Sequence, residues 1–231
     1  MKELMKKEDD AMVGIGTMIV FIAMILVAAV AASVLIDTSN ALEWRAKSTS
    51  SDTLKEVSSG IKILDVCGQY GTRIVDGSSY SRIHNLTITM NLRAGSKELD
   101  LSETLLVITN GDQEYVLRTN STLPVIANRS RSDTLFNMVP ENHPELSTVF
   151  DLPSSEFGII VVRDHDGSCT STLPGVNKGD IITLTVNLTA LFDGVSERTK
   201  IWGRIVPEEG GPGIFDFRTP SCFTDTIIDL K

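Results

Sequence analysis

Ile15-Gly16-Thr17-Met18-Ile19-Val20-Phe21-Ile22-Ala23-Met24-Ile25-Leu26-Val27-Ala28-Ala29-Val30-Ala31-Ala32-Ser33-Val34-Leu35-Ile36 runs for 22 residues without a charge. As a helix this stretch rises about 33 Å, enough to cross a bilayer. Fourteen of its residues are Ile, Leu, Val, Met or Phe, and they occupy every face. Such a helix has no side to turn toward water, so lipid or protein must surround it. Small residues recur four apart, Ala28 with Ala32 and Ala29 with Ser33, which lets helices approach closely.

A polar leader, residues 1–14, precedes the run. Lys2, Lys6 and Lys7 stand against Glu3, Glu8, Asp9 and Asp10, a net charge of −1. Three readings compete. One is a secretory signal cut after Ala29-Val30-Ala31, although such signals carry a clearly basic leader. The second is a permanent anchor holding an outward-facing domain. The third is a prepilin-like segment cut before the apolar run.

Beyond Ile36 the helical period continues but turns amphipathic. Leu42, Ala46, Thr49, Thr53, Val57, Ile61 and Leu64 recur at steps of three or four, with Glu43, Arg45, Lys47, Asp52, Lys55 and Glu56 mostly between them. The pattern predicts a helix over residues 15–66, with Gly68 as its stop. From Ile15 to Leu64 it would be roughly 75 Å long. A domain of this size cannot bury it, so the helix asks for copies of itself.

From about Arg73 the period becomes two. Leu86, Ile88, Met90 and Leu92 alternate with polar residues, as do Ile182, Leu184, Val186 and Leu188. Residues 104–109 and 113–119 flank Asn110-Gly111-Asp112, a hairpin signal. Residues 158–163, 200–206 and 214–217 complete seven or so short strands. Residues 120–153 are polar and contain Pro124, Pro140, Pro144 and Pro153, which reads as long exposed loops. The expected fold class is α+β: a long N-terminal hydrophobic helix, then an all-β immunoglobulin-like sandwich over residues 67–231.

The 231 residues hold 30 acidic and 21 basic side chains, and no basic cluster. Nucleic acid is therefore a poor partner. Three Cys and three His are too few and too scattered for a zinc framework. No G-x-S-x-G, H-E-x-x-H, P-loop or G-x-G-x-x-G is present, so no catalytic residue, cofactor or metal site is assigned. Asp164-His165-Asp166-Gly167 reads as a solvated turn after a strand. Glu208 and Glu209 with Asp216 could hold a cation, but a charged turn around Gly210-Gly211-Pro212-Gly213 is the plainer account. Cys67, Cys169 and Cys222 permit one disulfide and one free thiol in an oxidising environment; the simpler alternative is three buried, inert thiols.

Residues 14–24, continuing through Ile36, closely resemble the N-terminus of archaeal flagellins (archaellins), within the type IV pilin-like superfamily. Trp202-Gly203-Arg204-Ile205-Val206-Pro207-Glu208, Gly211-Pro212-Gly213 and Thr219-Pro220-Ser221 resemble the C-terminal segment of the same family. The resemblance implies a prepilin-type signal peptidase cutting between Gly14 and Ile15. The helix would remain on the mature chain and form the filament core. Ile15, Gly16, Phe21, Ala23, Leu26, Ala28, Ala32, Leu35 and Ile36 are then the polymerisation positions. It further implies a homopolymer for swimming, an ATP-driven membrane assembly and motor complex, transient residence of the precursor in the cytoplasmic membrane, and a cell-surface location. Four N-x-[ST] sequons, at Asn85, Asn120, Asn128 and Asn187, become candidate sites for an oligosaccharyltransferase. One departure is that Glu8-Asp9-Asp10 separates Lys6-Lys7 from the cut. Two other functional classes fit the hydropathy: a pilin-like adhesion subunit, and a membrane-anchored extracellular binding domain. Bacterial type IV pilins usually start with Phe and have Glu fifth, where this chain has Ile15 and Ile19.

Overall fold

A computed structural model describes the backbone of residues 2–75, 78–96, 98–126, 148–170 and 173–230. The chain divides into two compact units, Met1–Asp52 and Thr53–Lys231. The described residues of the first unit, 2–52, are all helical. They are the greater part of α1 (Lys2–Ser58), 57 residues without a break.

The helix ends earlier than the period of three or four suggests. Ser59 N–H still donates to Lys55 O at 2.8 Å, and the chain then turns to strand at Ile61. Ile61 and Ile63 sit two apart, and both are buried with Val66 in the sheet core. Ile61 and Leu64 satisfy a helical spacing, but β-branched residues two apart satisfy a strand as well, and burial decides between them.

The second unit contains β1 (Ile61–Val75), β2 (Ser78–Leu92), β3 (Leu99–Asp100), β4 (Leu105–Thr109), β5 (Glu114–Ile126), β6 (Glu156–Arg163), β7 (Gly175–Val176), β8 (Ile181–Asn187), α2 (Leu188–Phe192), β9 (Lys200–Val206), β10 (Gly213–Arg218) and β11 (Ile227–Asp229). Nine strands form one sheet in the order β10-β9-β4-β5-β6-β8-β2-β1-β11, and β3 pairs with β7 apart from it. The long helix followed by an all-β unit accords with the α+β expectation. The sandwich-like core arises because one sheet curls over on itself. At the start of β1, Ile61 N–H donates to Gly211 O at 3.1 Å, just before β10. A Cβ on Gly213 would lie 2.7 Å from Ile61 Cγ2, so glycine lets the two ends of the sheet meet there.

All sheet pairings are antiparallel except β5 with β6. The β4–β5 hairpin forms where Asn110-Gly111-Asp112 predicts it. Gly111 has φ +97, and Asn110 Oδ1 accepts from the Asp112 and Gln113 N–H groups at 3.0 and 2.8 Å. Glycine supplies the left-handed residue such a loop needs. β5 runs on to Ile126, so Asn120 belongs to a strand and not to a loop. Proline lacks a ladder donor, which makes a strand look improbable at Pro124. The strand accommodates it with a register shift between Thr119 and Pro124. The rest of the proline-rich stretch read as loops, up to residue 147, lies outside the described residues.

The inward faces of the strands share one core, which includes Leu86, Ile88, Leu106, Ile108, Leu117, Phe157, Leu184, Ile205 and Phe215. Gly158 shows how tightly it packs. A Cβ there would collide with the Thr185 hydroxyl and the Val149 side chain. It would also disturb the bond that Thr185 Oγ1 donates to Val149 O at 2.8 Å. Gly158→Ala is therefore expected to destabilise the sheet domain by about 1–3 kcal/mol. Thermal unfolding of the full chain followed by circular dichroism checks this, since at this size each kcal/mol lowers Tm by about 2–4 °C.

Candidate functional site

The candidate site is a surface, the outside of α1. Its segment from Met12 onward is long and apolar enough to span a membrane, and none of its most apolar window is buried. Ile15, Phe21, Leu26, Leu35 and Ile36 are each 61–69% exposed. Gly16, Ala23, Ala28 and Ala32 are also exposed and supply places of close approach. Two of its hydroxyls are turned inward on the backbone. Thr17 Oγ1 donates to Gly14 O at 2.9 Å, and Thr38 Oγ1 donates to Leu35 O at 3.0 Å. Each hydroxyl is thus satisfied without water. Further along, Leu42, Trp44, Leu54 and Val57 remain exposed, while Lys47 and Glu43 pair at 2.7 Å. No element of its own unit covers this helix.

Gly14 and Ile15 lie within the unbroken helix. A Cβ built on Gly14 meets nothing within 4 Å. The glycine is therefore not demanded by contacts among the described residues.

Of the four sequons, two have described side chains. Asn85 is half-buried on β2, and its Nδ2 donates to Gln69 Oε1 at 2.9 Å. Asn187 caps α2. Its Oδ1 accepts from the Thr189 and Ala190 N–H groups at 3.1 and 3.2 Å, and its Nδ2 donates to Leu152 O at 3.1 Å. Thr189 of the same sequon bonds His84 Nδ1 at 2.9 Å, so this sequon is built into the fold at both ends. The backbone of Asn120 lies in β5, and Asn128 lies outside the described residues.

Asp216 does not join Glu208 and Glu209; it pairs with Lys200 at 2.9 Å on the outer face of the sheet. The three cysteines are thiols. Cys67 and Cys169 are buried, but Cys222 is exposed, so they are not all inert.

The structure brings together one cluster that the sequence reading took for a turn. Carboxylate oxygens of Asp164, Asp166 and Asp180 all lie within 4.8 Å of one another. Asp164 and Asp166 sit on the loop after β6, and Asp180 on the turn before β8. Asp164 Oδ1 accepts from Gly167 N–H at 2.8 Å and its Oδ2 from Cys169 N–H at 3.1 Å. Hydrogen bonds from Ser168, and then from Asn177, hold the Asp166 carboxyl below the usual carboxylate range. Asp180 is 1% exposed, and its Oδ1 is buried without a hydrogen-bond partner among the described residues. A buried carboxylate oxygen left bare is costly, and three converging oxygen donors suit a hard divalent cation. No spacing rule announced this, because Asp180 reaches the cluster only through the β6–β8 pairing.

The same acids act on Cys169. Burial first, then the charges of Asp164 and Asp180, push its thiol up to about 11. Cys222 is therefore expected to be alkylated readily at pH 8, with Cys169 protected until the pH approaches 11 or the domain unfolds. Mass mapping of alkylated peptides against pH checks this. Millimolar Ca2+ is expected to raise Tm, by about 2.7 kcal/mol in stability at one hundred times Kd. Asp180→Asn should abolish the shift, as differential scanning calorimetry would show.

Comparison with known proteins agrees with the geometry of α1. A family model described as archaeal-type flagellin matches residues 11–217. Flagellin B2 of Methanocaldococcus jannaschii is 39% identical over 231 residues, covering 99% of this chain and 98% of its own length. Flagellin B3 of Thermococcus kodakarensis is 36% identical over 250 residues, covering 95% and 96%. The crystal structure of archaeal flagellin FlaB1 from Methanocaldococcus jannaschii superposes with TM-score 0.59 at 28% identity, over 74% of this chain and 96% of that one. The archaeal flagellum of Methanospirillum hungatei strain JF1 shares the fold, with TM-score 0.59 at 15% identity over 94% and 98%.

Proposed function

The chain belongs to the archaeal-type flagellins, and from that premise we infer that it is a structural subunit that polymerises with copies of itself into the archaellum. The filament stands outside the cell and serves swimming. The protein is a building unit and not an enzyme. The observation that carries this reading is the segment 15–36 of α1, apolar on every side, within a helix none of whose most apolar stretch is buried.

The finer steps rest on the same helix. A prepilin-type signal peptidase removes residues 1–14 by cutting between Gly14 and Ile15. The leader takes away three basic and four acidic residues and leaves 217 residues with a side-chain charge of −8. Before assembly the precursor rests in the cytoplasmic membrane, where lipid covers α1. Burying fourteen large apolar side chains from water is worth on the order of 20–40 kcal/mol gross. Measured from lipid, that gain nearly vanishes. Extraction into a filament therefore calls for an ATP-driven membrane complex. In the filament, Ile15, Gly16, Phe21, Ala23, Leu26, Ala28, Ala32, Leu35 and Ile36 pack against the same helix of neighbouring subunits. An oligosaccharyltransferase acts on the sequons, and at Asn187 it would have to displace a side chain committed to a helix cap.

N-terminal mass analysis of shed filaments should give a mature start at Ile15. An intact Met1, or a start at Ala32 after the Ala29-Val30-Ala31 site, would remove the basis of the proposal. Gly14→Val is expected to leave the precursor folded, because a Cβ there meets open space. It should block cleavage and abolish filaments, and normal filaments from this variant would contradict the mechanism.

A further inference from the structure

The outward positions of β10, β9, β4 and β5 form a face that an isolated sheet domain does not need. Antiparallel sheets with one solvated face usually place polar residues there. Here Ile214 pairs with Arg204, Arg204 with Val107, and Val107 with Val116, in one row across four strands. Ile214 is 70% exposed, Val116 51% and, in the adjoining row, Trp202 43%. At about 4.8 Å between strands, the row spans roughly 14 Å. The centre of the face is already dry, because outward-pointing Val107 and Thr109 are 5% and 3% exposed. An aromatic and an arginine around a dry centre are the side chains that anchor protein interfaces.

Charge indicates the occupant. The face carries Arg118, Lys200, Arg204 and Arg218 against Glu114 and Asp216, a net of +2 on a chain whose total is −9. Elsewhere in the same unit, Glu98, Asp100, Glu208 and Glu209 line one small cleft. A basic, apolar face and an acidic cleft on one chain complement each other between copies. Contact between two different patches is head-to-tail, and head-to-tail contacts generate open helical polymers when the rotation between copies does not close a ring, where self-matching ones close into dimers.

We propose that the outer face of β10-β9-β4-β5, anchored by Trp202 and Ile214, docks a second copy of this chain through that copy's acidic cleft. This would be a second filament contact, between sheet domains, in addition to the one made by α1. The inference rests on the filament reading above. It adds a specific surface and partner to it.

The test replaces Trp202 in the full chain with photoreactive benzoylphenylalanine and irradiates assembled filaments. Covalent dimers are expected, joined to the peptide carrying Asp100 or to that carrying Glu208 and Glu209 in the neighbour. Filaments without inter-subunit adducts would overturn the proposal, as would adducts to lipid, to other proteins, or to the same face of the partner. Independently, Trp202→Ser combined with Ile214→Ser should shorten filaments at least tenfold while circular dichroism shows a folded domain. Leu173→Ser, exposed but off this face, should leave filament length unchanged. Filaments of normal length from the double variant, or equal shortening by Leu173→Ser, would contradict it. If the unaltered chain forms no filaments, the filament reading itself fails, which is a separate result.

Discussion

The uncharged segment of α1, residues 15–36, must find an apolar environment, and its own unit does not provide one. That segment presents Ile, Leu, Val, Met and Phe on every side, and the described residues of its own unit are all part of the same helix. The cost of leaving that surface in water exceeds the whole stability of an ordinary domain. Residues 15–36 therefore call for a surrounding of lipid or protein. Polymerisation with copies of the chain is one way to meet that solvation requirement.

The sheet domain follows the opposite rule, since it satisfies its own core. One nine-stranded sheet curls until the start of β1 meets the chain leading into β10, and glycines at 60, 211 and 213 permit that approach. The closed core leaves only outer faces and loops for contact with neighbours. On those loops the fold gathers three carboxylates at Asp164, Asp166 and Asp180. They lie at the ends of paired strands, where a bound cation would tie the β6 loop to the β8 turn.

Legibility varied with how local the determining interaction is. The apolar run, the β4–β5 hairpin and the alternating strands around Ile88 and Leu184 were readable because each depends on residues near one another in sequence. The end of α1 was misplaced because Ile61 and Leu64 fit two periods at once, and only burial of Ile61, Ile63 and Val66 separates them. The extension of β5 past Asn120 was missed because Pro124 argues against a strand until the register shift is seen. The exposure of Cys222 depends on where the C-terminal segment runs, which no local pattern states.

The amino-acid sequence by itself determined that residues 15–36 need lipid or protein around them, because an uncharged run apolar on every face is a matter of composition and period, while the choice of a filament came from the resemblance to archaellins. The sequence also determined the domain order and the character of the strands. Tertiary structure alone decided which residues meet across distance. It set Asp180 beside Asp164, committed Asn187 to a helix cap, and aligned Ile214, Arg204, Val107 and Val116 in one row. The reason is physical. Hydropathy and period act through neighbours along the chain, whereas carboxylate clusters and sheet faces arise from strand pairing between segments tens of residues apart.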